Sequence, residues 1–124
     1  KYVPNIEIMR GKETMKFTFQ MTDQEKHQVL LEHEQLFQDV MKKCRDEKID
    51  LLILDEVIGA CNTGVFNVDS LLNFLKNKPV NMEVVLSGRN PQPELVALAD
   101  YVSEIKKIKH PYDRGISART GIER

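Results

Sequence analysis

Residues 50–56 have the sequence DLLILDE, in which the central residues Leu51 to Leu54 are all apolar and do not alternate with polar ones. A strand that is apolar on both faces is typical of the middle of a parallel sheet covered on both sides. Two acids, Asp55 and Glu56, follow it directly. The stretch therefore predicts an α/β domain with an open, mostly parallel sheet and helices on both faces.

Predicted helices and strands alternate along the chain on either side of this strand. Thr22 and Glu25 form a capping-box pattern that predicts the start of a long helix ending near Lys48. Asn67 or Asp69 can cap a second helix that Pro79 stops. The predicted strands are residues 5–10, 50–56, 83–87 and 101–108, and the predicted helices are residues 22–48, 67–77 and 93–100. This order predicts a single domain over residues 1–124, with ligands at the carboxyl edge of the sheet.

Composition narrows the function classes. The chain has 124 residues, 41% of them hydrophobic and 30% charged, and a formal net charge of −1. The net charge provides no basic field for a nucleic-acid backbone, and no apolar run reaches membrane-spanning length. We therefore expect neither nucleic acid nor a membrane as a partner. Cys44 and Cys61 are interpreted as free thiols of a reducing, cytoplasmic compartment, although a disulfide between them stays open.

The acids after the apolar strand are the first candidate site. Four apolar residues followed by an acid are the pattern of a Walker B segment, whose acid binds Mg²⁺ directly or through water. Asp55 and Glu56 are therefore candidate metal ligands. The alternative is that one of them only caps the following segment.

Arg89 and two aromatic residues are further candidates. Arg89 follows the strand at residues 83–87 and Gly88, where its planar guanidinium could meet a phosphate. The alternative is an ordinary surface arginine in a turn. Phe17 and Phe19 lie in a loop before the long helix, and the pattern alone favours an anchoring role in the core.

A phosphate-binding loop is missing from the sequence. The only Gly-Lys pair, Gly11-Lys12, lacks the Gly-x-x-x-x-Gly-Lys-Ser/Thr frame. The chain also opens on Lys1 without a methionine. These features predict a P-loop NTPase-like domain that is truncated at its N-terminus, with the phosphate loop upstream of Lys1.

Several segments together resemble one family, the ATP:corrinoid adenosyltransferases of the P-loop type. The most specific is ADYVSEIKKIKHPYDRGI, residues 99–116, with Ala118, Gly121, Ile122 and Glu123 after it. The others are LILDE at residues 52–56, NKP at residues 77–79 and VVLSGR at residues 84–89. Ser87 stands where the family is expected to have threonine.

The resemblance implies a reaction and assigns roles. It implies that cob(I)alamin or another corrinoid attacks the 5′ carbon of ATP, giving adenosylcobalamin and triphosphate, so that no protein nucleophile is needed. It assigns Asp55 and Glu56 to Mg²⁺, Arg89 to the phosphates, and Phe17 and Phe19 to the corrinoid pocket, which reverses the interpretation from pattern alone. It also implies a cytoplasmic homodimer served by an unidentified reductase.

Two other interpretations stay open. A different P-loop ATPase or kinase would share Asp55 and Glu56 but would have no need of the segment at residues 109–123. A non-catalytic interaction module would explain the missing phosphate loop.

Overall fold

The computed structural model describes residues 3–12 and 16–122. Glu123, part of the motif at the C-terminus, lies outside them. Short 3₁₀ turns cover Thr18–Gln20 and Pro111–Arg114. The helices and strands, in chain order, are α1 (Asp23–Asp46), β1 (Leu51–Leu54), α2 (Val57–Asn62), α3 (Val68–Asn77), β2 (Glu83–Leu86) and α4 (Pro93–Leu98).

Helix α1 begins at the predicted capping box. The Thr22 hydroxyl accepts a hydrogen bond from the Glu25 backbone N–H at 3.2 Å. The Glu25 carboxylate accepts one from the Thr22 N–H at 2.7 Å. Two N–H groups that a helix start would leave unpaired are thereby satisfied.

None of the helices in the described residues is long and apolar enough to cross a membrane.

Helix α3 also begins as predicted. The Asn67 side chain accepts hydrogen bonds from the backbone N–H groups of Asp69 and Ser70. Leu71 of this helix is fully buried. Asn67 is thus the cap of this helix, which settles the choice between Asn67 and Asp69.

The core lies between the helices and one face of the sheet. Phe37 of α1 meets the ring of Phe66 edge-on, with ring centroids 5.1 Å apart, a favourable aromatic arrangement. The buried cluster draws on every helix and consists of Phe37, Ile58, Phe66, Leu71 and Leu95.

Strands β1 and β2 form a two-stranded parallel sheet, in register from Leu51 opposite Glu83 to Leu54 opposite Leu86. Helices α2 and α3 make the crossover between them, as parallel strands require. Leu54 and Leu86 pack against the core, whereas Ile53 on the other face is exposed. Within the described residues, helices therefore cover one face of the sheet, and the prediction of helices on both faces is wrong there.

Two predicted strands are absent from the described residues. Residues 5–10 run along α1, where Glu7 pairs with Lys43 at 2.9 Å and Lys12 pairs with Glu32 at 3.5 Å. Residues 101–108 form neither helix nor strand, and Ile105 is almost fully exposed. A strand needs a neighbour for its N–H and C=O groups, and neither segment has a neighbouring strand among residues 3–12 and 16–122.

Candidate functional site

The two strands end at the same edge, where the predicted acids meet a serine. The hydroxyl of Ser87, after β2, donates a hydrogen bond to Oδ1 of Asp55, after β1, at 2.6 Å. The same hydroxyl accepts a hydrogen bond from the backbone N–H of Glu56 at 2.9 Å. The structure thus joins the Asp55 carboxylate and the Glu56 backbone to a third residue that comes more than thirty positions later in the chain.

The backbone around Ser87 ties the two strand ends together. The Ser87 N–H donates to the Leu54 carbonyl at 3.2 Å, and the Ser87 carbonyl accepts from the Ile58 N–H at 3.3 Å. Gly88 has a φ of 142°, and a Cβ there would lie 2.6 Å from the Ile58 Cβ. Only glycine allows this close approach between the loop after β2 and the start of α2.

Glu56 occupies the N-cap position of α2, but its side chain makes no capping hydrogen bond. Its backbone is left-handed, with a φ of 55°, which is uncommon for a residue with a side chain. The alternative that the Glu56 carboxylate serves as a helix cap is therefore wrong. The carboxylate is exposed and available to a ligand.

Arg89 lies in an exposed loop that α2 braces. The Asn62 side-chain amide donates to the carbonyl of Arg89 at 3.0 Å and to that of Asn90 at 2.9 Å. Gln92 in turn donates to the Asn62 side chain at 2.8 Å. Within the described part of the chain the Arg89 guanidinium forms no salt bridge. Its backbone is held by these hydrogen bonds, and none of the acids among residues 3–12 and 16–122 forms a salt bridge with its guanidinium.

The donor set at this edge fits magnesium. Mg²⁺ prefers oxygen ligands and usually binds through one or two carboxylates together with substrate phosphates and waters. Asp55 and Glu56 offer that kind of partial site, and Arg89 adds a positive charge on the neighbouring loop. Across residues 3–12 and 16–122, no group of three or more His, Cys, Asp or Glu side chains could hold a metal ion.

Phe17 and Phe19 form a separate feature. Their rings stack with centroids 5.5 Å apart and planes 6° apart, and they are 69% and 81% exposed. The alternative that they anchor the loop in the core is therefore wrong. No hydrogen bond or ring contact among the described residues joins the pair to Asp55, Glu56 or Arg89.

The segment after α4 uses its histidine locally. His110 Nδ1 accepts a hydrogen bond from the Tyr112 N–H at 3.1 Å and so caps the 3₁₀ turn. Lys107 Nζ donates a hydrogen bond to Oδ1 of Asp113, a residue of the same turn, at 2.9 Å. These contacts organise the turn within the C-terminal segment itself.

Three residues of the site were not among the sequence candidates: Ser87, Asn62 and Gln92. Ser87 gave a weak signal, as a polar residue directly after an apolar strand. Asn62 and Gln92 gave none, because their roles depend on contacts about thirty residues away in sequence.

The chain is similar to proteins of one family. A family model described as ATP:corrinoid adenosyltransferase BtuR/CobO/CobP matches residues 2–124. The chain is 34% identical over 108 residues to a corrinoid adenosyltransferase of a Sinorhizobium species, covering 86% of this chain and 50% of that protein. It is 27% identical over 89 residues to the corrinoid adenosyltransferase of Escherichia coli K12, covering 72% and 45%.

A further relative is the corrinoid adenosyltransferase CobA of Salmonella typhimurium, which is 30% identical over 78 residues, covering 63% of this chain and 40% of that protein. The chain thus spans half or less of the length of these curated relatives.

Proposed function

Since the chain belongs to the ATP:corrinoid adenosyltransferase family, we propose that the full-length protein transfers the 5′-deoxyadenosyl group of ATP to the cobalt of cob(I)alamin or another corrinoid. The electron pair of Co(I) forms the bond to the 5′ carbon. The bond from that carbon to the triphosphate oxygen breaks, and triphosphate leaves with its electron pair. Co(I) is itself the nucleophile, so the protein's work is to orient ATP and to stabilise the leaving group.

The carboxyl edge of the sheet serves the triphosphate in this proposal. Asp55 and Glu56 would hold Mg²⁺, which would supply positive charge next to the phosphates when bound. Arg89 contacts phosphate oxygens with its planar fork. The single observation that carries the proposal is that the Ser87 hydroxyl is hydrogen-bonded to the Asp55 carboxylate and to the Glu56 backbone at one edge of the sheet. The chain in which this occurs matches the family over residues 2–124.

Phe17 and Phe19 serve the corrinoid. A stacked, exposed aromatic pair offers an apolar wall without a donor atom for cobalt. Such a wall would displace the lower axial ligand of a Co(II) corrinoid and leave it four-coordinate. Four-coordinate Co(II) accepts an electron more readily, and a reductase partner supplies that electron. On the basis of the family resemblance, we also propose a cytoplasmic homodimer with a P-loop NTPase-like fold.

The 124 residues alone should be inactive. They contain no Gly-x-x-x-x-Gly-Lys-Ser/Thr segment, and the backbone N–H groups and lysine of such a loop provide most of the phosphate binding in P-loop proteins. We expect the isolated polypeptide to form no adenosylcobalamin from ATP and chemically reduced cobalamin. Product formation by it would overturn this part of the proposal.

The test of the proposed reaction is product analysis with the full-length protein. ATP, Mg²⁺ and cob(I)alamin generated by a chemical reductant should yield adenosylcobalamin and triphosphate in equal amounts. An ATPase would instead release ADP and phosphate whether or not a corrinoid is present, and a kinase would need a phosphate acceptor. A protein that binds no corrinoid and consumes no ATP would favour the non-catalytic interaction module.

A further inference from the structure

The Ser87 hydroxyl makes two hydrogen bonds whose directions are fixed by chemistry. A backbone N–H can only donate, so Ser87 Oγ is the acceptor in its 2.9 Å contact with Glu56. Its proton is then available to the 2.6 Å contact with Asp55 Oδ1. That distance lies in the range of about 2.5 to 2.7 Å typical of a hydroxyl bonded to a charged carboxylate. One side chain therefore contacts the carboxylate of Asp55 and the backbone of Glu56.

Ser87 is itself fixed in place. Its backbone N–H and C=O bond to Leu54 and Ile58, and the close approach of Gly88 to Ile58 prevents the loop from shifting toward α2. Only rotation about the Ser87 Cα–Cβ bond could move the hydroxyl, and both of its hydrogen bonds oppose that rotation. The Ser87 hydroxyl is therefore held in one position at an otherwise exposed edge of the sheet.

Both acids need a fixed hydrogen-bonding partner to keep one conformation. Glu56 has a left-handed backbone, a conformation that persists only where the surroundings enforce it, and the bond from its N–H to Ser87 is one such constraint. Asp55 is exposed, so its carboxylate would otherwise rotate freely. With Oδ1 occupied by Ser87, Oδ2 is the oxygen that a cation would meet.

We propose that Ser87 is the positioning residue of the metal site, whose hydroxyl orients Asp55 through Oδ1 and fixes the backbone of Glu56, so that both acids meet the metal–nucleotide complex in one arrangement. This inference rests on the proposed function for the presence of a metal–nucleotide complex. Loss of a hydrogen-bonding partner behind a metal ligand typically lowers metal affinity by about 10- to 100-fold.

The test uses Mn²⁺ as a spectroscopic probe for Mg²⁺ in the full-length protein. Free Mn²⁺ is measured by electron paramagnetic resonance during titration in the presence of ATP, with no corrinoid. Ser87→Ala should weaken Mn²⁺ binding by about tenfold or more, while Ser87→Thr, which keeps the hydroxyl, should stay near wild type. Thr63→Ala is the matched control, because the Thr63 hydroxyl bonds to the Gly59 carbonyl within the α2 turn, and it should leave Mn²⁺ affinity unchanged.

A double-mutant cycle separates positioning from a general structural role. If Ser87 acts through Asp55, Ser87→Ala should cost much less Mn²⁺ affinity in an Asp55→Asn background than in wild type. Equal losses in the two backgrounds, or wild-type affinity in Ser87→Ala, would overturn the proposal. Should Ser87→Ala fail to fold, Ser87→Cys keeps nearly the same volume with a weaker donor and should show the same loss.

These readouts do not depend on the corrinoid. A protein that makes no adenosylcobalamin but shows the Ser87 effect on Mn²⁺ would overturn the proposed reaction and leave Ser87 as the positioning residue. Adenosyl transfer with no effect of the Ser87 variants on Mn²⁺ binding would support the proposed reaction and overturn the role of Ser87 as the positioning residue.

Discussion

Asn62, the last residue of α2, donates a hydrogen bond from its side-chain amide to the backbone carbonyl of Arg89 at 3.0 Å. The same amide group also reaches the Asn90 carbonyl at 2.9 Å. One side chain thus fixes the loop from which the proposed phosphate contact extends. The position of the Arg89 backbone therefore depends on the end of α2, and a change at Asn62 should alter the binding of the nucleotide.

The first prediction tests this brace. Asn62→Ala leaves two carbonyls without their donor and frees the loop, so the KM for ATP should rise by about tenfold, an effect of about 1.4 kcal/mol. Arg89→Lys should raise the KM similarly, because lysine lacks the planar fork. Asn77→Ala is the matched control, since that amide bonds to the Asn73 carbonyl within α3. If Asn62→Ala and Asn77→Ala give the same KM, the brace has no role in nucleotide binding.

The second prediction concerns the carboxylates. Asp55→Asn and Glu56→Gln in the full-length protein should each raise the Mg²⁺ concentration needed for half-maximal activity, because the lost charge is a metal ligand in the proposed site. Both side chains are exposed, so the free energy of unfolding should change by less than about 0.5 kcal/mol for Glu56→Gln.

Glu83→Gln is the control for these variants. Glu83 is an exposed acid at the opposite end of β2, and its loss should leave the Mg²⁺ requirement as in wild type. Unchanged turnover and Mg²⁺ dependence in both Asp55→Asn and Glu56→Gln would show that neither carboxylate serves the metal.

The third prediction concerns the close approach at Gly88. Gly88→Ala would bring a Cβ to 2.6 Å from that of Ile58 and to 3.1 Å from the Gly59 backbone nitrogen. The helix start would have to move, so we expect a loss of about 1–3 kcal/mol from crowding in addition to the backbone strain. Gly64→Ala, where φ is 75° but no atom lies within 4 Å, should cost only the strain. Equal unfolding free energies for the two variants would contradict the crowding.

The fourth prediction is a pH dependence at the start of α1. The Lys16 ammonium, and then the hydrogen bond from the Thr22 backbone, lower the pKa of Glu25 from its usual value of 4.5. A group with a lowered folded-state pKa stabilises the fold above its unfolded pKa and loses that effect as the pH falls through the folded one. The stability difference between wild type and Glu25→Gln, measured by urea unfolding, should therefore shrink as the pH is lowered below about 4.5.

A control for this prediction is Thr22→Ala. It removes the neutral half of the capping box and should cost about 1 kcal/mol, with a weaker dependence on pH. A Glu25→Gln difference that stays constant down to about pH 3 would contradict the charge effect.

The sequence predicted those elements whose signals are local. The Thr22 and Glu25 pattern, the Asn67 cap and the apolar runs at residues 51–54 and 84–86 each lie within a few residues, and each element formed where expected. Helix α2 was missed because it is only six residues long and contains Gly59, a poor helix former. It forms because Ile58 is buried in the core.

The failures share a non-local cause. Residues 5–10 and 101–108 have strand-like sequences, but strand formation depends on a neighbour that no local pattern reveals. The exposure of Ile53, on the sheet face that no described helix covers, was missed for the same reason. At the candidate site, Asp55 and Glu56 were found because an acid after an apolar strand is a local pattern. The partner that joins them, Ser87, is separated from them by 31 and 32 positions.

The last prediction concerns Phe19 and best separates an adenosyltransferase from another ATPase. Its ring is 81% exposed and stacked on Phe17, so Phe19→Ala should cost little stability. Phe37→Ala, in the buried cluster, should cost about 3–5 kcal/mol, and it calibrates the unfolding measurement. A stable Phe19→Ala protein allows its effect on chemistry to be interpreted directly.

If Phe19 excludes the axial ligand from cobalt, Phe19→Ala in the full-length protein should still bind ATP and still alkylate cobalt supplied as chemically reduced Co(I). It should fail selectively when the reaction starts from Co(II) and a reductase, because water can return to the axial position and make reduction harder. The measurement is the ratio of the Co(II)-dependent to the Co(I)-dependent activity, and it should fall in the variant. An unchanged ratio, with both activities reduced together, would mean that Phe19 contributes only general contact area, and that the corrinoid role assigned to the aromatic pair is wrong.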